Sequence, residues 1–540
     1  MKKNLLYTLA VSAFLLVTSC NKLDLVPTDR YTELNYWTSP DKASLVLNTA
    51  YGQMVNTDYF FYNEAMSDNG YNGRSDAAGA TSISAGTYDA SLGRLEDEWR
   101  FHYQAIKTSN TILQYVDQVP NMKDDQKSRM KAEARFLRAW HYFQLTNWWG
   151  DVPLFTDVIS IENSANIGRT PHAQVIDFVM KELDEVEAVL PTNTNYKGTD
   201  IGRISKGAAI ALKARVNLYE GKWQAVVTET EKLINGTSNG TYTLFPSYSG
   251  LFSPANENNS EVILSAGFVP DLRTYSTLVD FVPLSVGARL NAMAPTQELV
   301  NDYVMINGKA INESGSGYDE NNPYKDRDPR LTATVVYHGY SWLKADGTTK
   351  TIYTKPGTDP DRSAPDEFKP GTSSSPTGYY LRKYYDPTAR NFASGLDLIQ
   401  IRFADVLLMY AEAKNELGQF NESIFNTTIR AIRARAGFTD GAALTFNSTL
   451  SQDGLRALIR KERRAEFAFE GLRIFDIRRW KIAETVLNGV VHGARFGDPG
   501  TDNGYIRATT RSFNASRHYL WPIPRDERAL NPSLGQNPGW

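Results

Sequence analysis

The chain has 540 residues, with 58 Lys or Arg against 61 Asp or Glu and a formal net charge of −3. That balance lacks the basic surplus on which nucleic-acid binding depends, so no nucleic-acid partner is expected. One cysteine in the whole sequence permits no internal disulfide, so a fold of this size must rest on core packing.

The sequence opens on Met1, Lys2 and Lys3, runs apolar from Leu5 to Val17, and then reads Thr18, Ser19, Cys20. A basic start, a short apolar core and small residues at the cut predict a signal peptide over residues 1–19. The apolar run is shorter than the roughly 20 residues that span a bilayer. A cysteine directly after the small residues predicts lipidation at Cys20, and therefore an exported chain tethered to a membrane surface. Residues 20–30 show no apolar period and read as that tether. A helix is predicted from Asp41 through Leu45, Leu47 and Ala50. Residues 62–94, rich in Ser, Gly, Asn and Asp around Tyr62, Tyr71 and Tyr88, read as a long irregular segment of the kind that carries function.

From Leu95 to Trp149 the helical signal is strong. Trp99, Tyr103, Ile106, Asn110 and Leu113 share one face, and Ala132, Phe136, Ala139, Trp140 and Phe143 repeat the pattern. Trp99 and Trp140 are therefore assigned to the core. Gly150 to Pro153 breaks the helix, and Thr170 followed by Pro171 predicts a new start, with Thr170 as N-cap. Two later segments repeat one unit. Ala208, Leu212, Val216 and Tyr219 lead through Gly221 to Trp223, Val226 and Leu233; Val406, Leu407 and Tyr410 lead through Gly418 to Phe420, Ile424 and Ile432. Helix, glycine turn, aromatic, helix is the tetratricopeptide pattern, and each such hairpin must stack on another to bury its apolar side. Between them, residues 235–395 read as loops and small strands, with β-like runs at 261–264 and 331–337. Loops of this kind carry recognition on a helical scaffold. No stretch after the leader is long and apolar enough to predict a transmembrane helix.

The six histidines form no HExxH pair, and no nucleophile elbow, phosphate loop or dinucleotide glycine pattern is present. The loop from Asp319 to Asp328, with Asn321, Asn322 and Asp326, offers oxygen ligands for calcium but lacks the EF-hand spacing, so a solvated loop is the simpler reading. The densest charged cluster runs from Arg460 to Trp480. Glu462 and Glu466 could be read as the acid and base of a glycoside hydrolase. Four residues apart on one helix, they sit side by side, and the interleaved arginines would hold both ionised. An ion-paired helix locked against Arg473 and Asp476 is the preferred reading.

The sequence resembles the SusD/RagB family of outer-membrane lipoproteins of the Bacteroidetes. The resemblance begins at Cys20-Asn21-Lys22-Leu23-Asp24-Leu25 and continues through Trp99, Tyr103, Ile106 and Asn110, then Ala132 to Trp140, then Gly150 to Leu154. It resumes at Ile401-Arg402 with Asp405 and Tyr410 to Ala413, then at Glu462, Glu466, Glu470, Arg473, Asp476 and Trp480. It ends on Leu520 to Pro524 and Gln536 to Trp540. What it implies is a mainly α fold, a tetratricopeptide-like helical scaffold with loop-rich insertions and a few short strands. The implied parts are 31–235, an N-terminal portion of the scaffold, and 236–540, with ligand loops and closing helices. The implied activity is glycan binding without catalysis or cofactor, by a lipid-anchored surface protein that delivers its ligand to a SusC-type TonB-dependent transporter. RagB-like members imply peptide binding as the alternative, and a hydrolase using Glu462 and Glu466 stands behind both. The family's ligand residues come from variable loops, so the candidates are positional: Asp68, Asn69, Tyr71, Arg74, Tyr275, Tyr340 and Trp342. Trp342 leads them, because the flanking Gly339 and Gly347 read as a loop tip.

Overall fold

A computed structural model describes residues 36–74, 77–276 and 280–540. The signal peptide, the tether and Cys20 lie outside the described residues. The first helix, α1 (Pro40–Gly52), starts where Ser39 Oγ accepts a hydrogen bond from the Lys42 amide. It buries Ala43, Leu47 and Ala50, while Leu45 is 57% exposed. Leu45 stands two residues from both Ala43 and Leu47, which turns it to the opposite side of the helix. The segment expected to be irregular opens instead on a helix, α2 (Thr57–Ala65), capped by Asn56, which buries Phe60, Phe61 and Tyr62.

The remaining long helices are α3 (Gly93–Tyr115), α4 (Asp124–Trp149), α5 (His172–Glu187), α6 (Lys206–Tyr219), α7 (Trp223–Ile234), α8 (Phe403–Glu416), α9 (Gln452–Phe467) and the short α10 (Arg473–Arg479). Each packs on the next, α3 on α4, α4 on α5, α5 on α6, α6 on α7, α7 on α8 and α8 on α9. That neighbour-to-neighbour stacking is how helical hairpins bury their apolar sides. Both predicted hairpins are present. Gly221 at φ 65° turns α6 into α7, and Gly418 at φ 68° turns α8 into a helical run over 422–436 that contains a π-helical turn, Asn426–Arg430. The two units are distant in sequence and adjacent in space, because α7 packs on α8. Trp99 and Trp140 are buried, as their spacing predicts. Thr170 does not cap α5: its backbone pairs with Val152, and the His172 amide donates to Asp151 Oδ1 at 2.8 Å.

The strands are β1 (Gly70–Tyr71), β2 (Val262–Ala266), β3 (Ala294–Pro295), β4 (Val335–Val336), β5 (Tyr340–Leu343), β6 (Thr349–Ile352), β7 (Tyr380–Leu381), β8 (Leu398–Arg402), β9 (Gly489–His492) and β10 (Arg507–Arg511). Among the described residues they form antiparallel pairs: β1 with β3, β2 with β8, β4 with β7, β5 with β6 and β9 with β10. The run 331–337 is not one strand. Asp328 caps a helical turn, Pro329–Thr334, and only Val335 and Val336 extend.

The closing segment of the chain completes the core of the first half. Trp521 stacks on Trp148 with ring centroids 3.9 Å apart and planes within 5°. Trp149 Nε1 donates to the Pro522 carbonyl at 3.0 Å, and Asn537 Nδ2 donates to the carbonyls of Trp149 and Trp521 at 2.8 and 2.7 Å.

Candidate functional site

The charged cluster on α9 is a buried lattice. Glu466 meets Arg402 at 2.6 Å, Arg330 at 2.9 Å and Arg435 as well; Glu462 meets Arg330 at 2.7 Å and Arg433 at 2.8 Å. Burial by itself would raise both carboxyls. The guanidiniums outweigh it and hold both below the usual carboxylate range, Glu466 far below. Neither group can hold a proton to donate at neutral pH, so the acid–base reading has no physical basis. The predicted partners need correction. Asp476 faces Arg463 and Arg479 at 2.8 and 2.9 Å, while Arg473 reaches across to Asp68 at 2.8 Å.

That last pair settles where two sequence candidates lie. Asp68 is 4% exposed, between Arg473 and Arg464; burial raises its carboxyl, and the two arginines pull it well below its usual range. Asn69 is fully buried, donating to Glu64 at 2.8 Å and accepting from Arg464 at 2.9 Å. Both brace the lattice from inside. Tyr71, in β1, and Arg74 are half-buried, and Arg74 Nε donates to the Asn291 carbonyl at 3.2 Å. In the proposed calcium loop, Asp328 is held by Arg330 at 2.7 Å and Asp319 accepts from Asn321 and Asn322. Among the described residues, no group of three His, Cys, Asp or Glu is placed to hold a metal ion.

Trp342 is not at a loop tip. It lies in β5, where the pleat turns Tyr340 and Trp342 inward and Ser341 and Leu343 outward. Trp342 is 0% exposed, and the Tyr340 hydroxyl donates to the Thr332 carbonyl at 3.0 Å. The large–small–large alternation of Tyr340, Ser341 and Trp342 is a strand signal. Tyr275 is buried too, with its backbone paired to Ser394.

These buried aromatics nevertheless form the wall behind an open site. The Trp342 ring meets Tyr385 at 4.8 Å in a T-shaped contact, and the Arg382 guanidinium lies 4.5 Å from one ring and 5.0 Å from the other. Tyr385 then opens onto a cleft of about 360 Å³, lined also by Val282, Val286, Asp386, Asn391, Phe392 and Ser394. Ser394, whose backbone pairs with Tyr275, donates to Asp386 at 2.8 Å. The outer lip is a tight turn in which Arg390 bridges Ala393, with Asn391 at φ 50° and Phe392 at φ 63°. Two successive non-glycine residues in the left-handed region store strain, and for a bulky side chain that conformation is an outlier. The strain presents Phe392 outward, 41% exposed, with the Arg289 guanidinium 5.0 Å from its ring.

Two aromatic rings beside a carboxylate, an amide and a hydroxyl suit a ligand with apolar C–H faces and many hydroxyls. The sequence reading missed Phe392 and Tyr385. A lone aromatic in the polar run Arg390-Asn391-Phe392-Ala393-Ser394 was the available signal.

Residues 281–540 match the SusD family profile, and residues 24–218 match a SusD-like profile described as starch-binding associating with outer membrane. A SusD-like protein of Formosa agariphila is 28% identical over 523 residues, 90% of this chain and 87% of its own length. The starch-binding protein SusD of Bacteroides thetaiotaomicron is 27% identical over 174 residues, 31% of this chain and 29% of its own. The crystal structure of a SusD-like carbohydrate-binding protein from Bacteroides fragilis superposes with a TM-score of 0.82 at 28% identity, covering 92% of this chain and 99% of that one.

Proposed function

This chain belongs to the SusD family, and from that premise we propose that it is a lipid-anchored outer-membrane protein that captures a glycan in the Phe392 cleft and delivers it to a SusC-type TonB-dependent transporter. The observation that carries the site is the strained, outward Phe392 beside Tyr385 and Asp386. The carbohydrate-binding and starch-binding relatives support the ligand class, and the family description supports the outer membrane as the place. The Cys20 reading supplies the anchor. The proposed role is binding without hydrolysis, and it is supported by the arginines that lock Glu462 and Glu466, the pair considered as acid and base. Tyr71 and Arg74, the half-exposed members of the sequence-based set, are second candidates for ligand contact.

The test is binding of the full chain in detergent to a panel of starch, plant, algal and host polysaccharides, by calorimetry and affinity electrophoresis. Binding of at least one, weakened by Phe392→Ala, is expected. No glycan binding together with tight binding of oligopeptides would select peptide capture instead. Pull-down from native outer membranes is expected to recover a large β-barrel transporter; recovery of the chain alone would remove the delivery step.

A further inference from the structure

A second cleft, of about 610 Å³, lies where the end of α4, the α6–α7 turn and α10 meet the closing segment. Arg169, Arg478 and Lys481 line it, and no ion pair among the described residues includes any of the three. Arg478, 8% exposed, donates to the carbonyls of His518 and Tyr519. Arg169 donates to Asn537 Oδ1 at 2.7 Å and to the Gln536 carbonyl at 3.4 Å. Lys481 Nζ stands 4.1 Å over the Tyr519 ring, with no hydrogen bond to a described residue. Neutral acceptors orient the two arginines without cancelling their charge. Other arginines of α10 behave differently: Arg473 faces Asp68, and Arg479 faces Glu412 at 2.6 Å.

The nearby acids make their hydrogen bonds elsewhere and form no ion pair with the three cations: Asp151 accepts from the His172 amide, Glu220 pairs with His172 Nε2 at 2.9 Å, and Glu484 accepts from the Tyr519 hydroxyl, while Asp151 and Glu484 keep their charge. Burial pulls the Arg478 guanidinium down to about 10, and it lowers Arg169 and Lys481 as well, outweighing the opposite pull of Asp151 on Arg169 and of Glu484 on Lys481. An unpaired cation in a concave site is a standing demand for an oxyanion. The walls also carry the rings of Tyr219 and Tyr519 and the amides of Asn147 and Gln536, groups that suit a sugar.

We propose that this cleft is an anion subsite for an acidic glycan, one bearing uronate carboxylates or sulfate esters, whose charge is met by Lys481 and Arg169. It rests on the glycan-binding reading above and lies apart from the Phe392 cleft, sharing none of its lining residues.

Calorimetry on the full chain in detergent tests it, with tetragalacturonate, a sulfated carrageenan tetrasaccharide, neutral maltotetraose and sodium sulfate as probes. At least one acidic oligomer is expected to bind, to weaken with added salt, and to lose about tenfold in affinity in Lys481→Gln and more in the Arg169→Gln/Lys481→Gln double variant. Lys481→Gln keeps the test valid if the loss of the Arg169–Asn537 contact disturbs folding, because Lys481 braces nothing by hydrogen bond. Which of the two acidic oligomers binds tells carboxylate from sulfate ester. Failure of both to bind, or unchanged affinity in Lys481→Gln, overturns the proposal. So does binding of sodium sulfate alone, which would mark a pocket for a free ion. Neutral glycan binding that survives those failures and still responds to Phe392→Ala leaves the family reading intact; no binding of any glycan removes both.

Discussion

Phe392 offers a test in which affinity and stability should move independently. Replacing it with Ala removes the exposed ring but keeps a side chain at φ 63°; replacing it with Gly removes the ring and the strain together. If a sugar stacks on the ring, each variant should lose ~1–3 kcal/mol of binding, by analogy with bases stacked on aromatic platforms. That corresponds to a roughly 5- to 150-fold rise in Kd. The left-handed region costs an L-residue about 1–2 kcal/mol. Part of that gain in Phe392→Gly is returned through the freer unfolded chain. Phe392→Gly should therefore be more stable than Phe392→Ala by up to about 1 kcal/mol while binding no better. Calorimetric titration with whichever panel polysaccharide the wild type binds best, beside urea unfolding of all three proteins, reads both quantities. Unchanged affinity in both variants would remove the cleft as the site. A Gly variant less stable than the Ala variant would show that the turn is not strained.

Glu466→Gln strips the charge that Arg330, Arg402 and Arg435 share and should cost about 3–5 kcal/mol in urea unfolding; a change below about 1 kcal/mol would mean that the lattice tolerates an unpaired guanidinium. Burial lifts the Glu64 carboxyl to about 7, against hydrogen bonds from Asn69 and Gly471. The folded chain then keeps a proton that the unfolded chain releases near 4.5, so this group's contribution to stability falls as pH rises from 4.5 towards 7. Glu64→Gln should gain on the wild type by about 3 kcal/mol between those limits, and equal pH dependence of the two proteins would refute the shift. Cys20→Ala should move the protein from the membrane to the soluble fraction on fractionation; tight membrane association of the variant would count against the lipid anchor.

The helical scaffold was legible because its signals are local. The spacing of Trp99, Tyr103 and Ile106, and the glycines at 221 and 418, depend on nothing beyond a few turns of chain. Pairing across the sequence was not legible. Asp68 reads as a loop residue because its partners, Arg464 and Arg473, are 396 and 405 positions away. Trp342 failed for a different reason. The flanking glycines read as a loop tip and mask the Tyr340-Ser341-Trp342 alternation of a four-residue strand, whose Trp342 ring packs on Tyr385. Phe392 was hidden because its exposure depends on two positive φ angles that Asn391 and Phe392 adopt without any glycine to announce them.

The stack of Trp521 on Trp148 has a consequence in time. A ribosome makes Trp148 long before Trp521, so the first helices wait for this neighbour while more than 370 further residues are made. A chain ending at Arg511 should accordingly be cut by protease within α3 and α4, and full resistance of that fragment would argue that the early helices close by themselves. The segment that carries Trp521 and Asn537 thus acts as a clasp on helices made some 370 residues earlier.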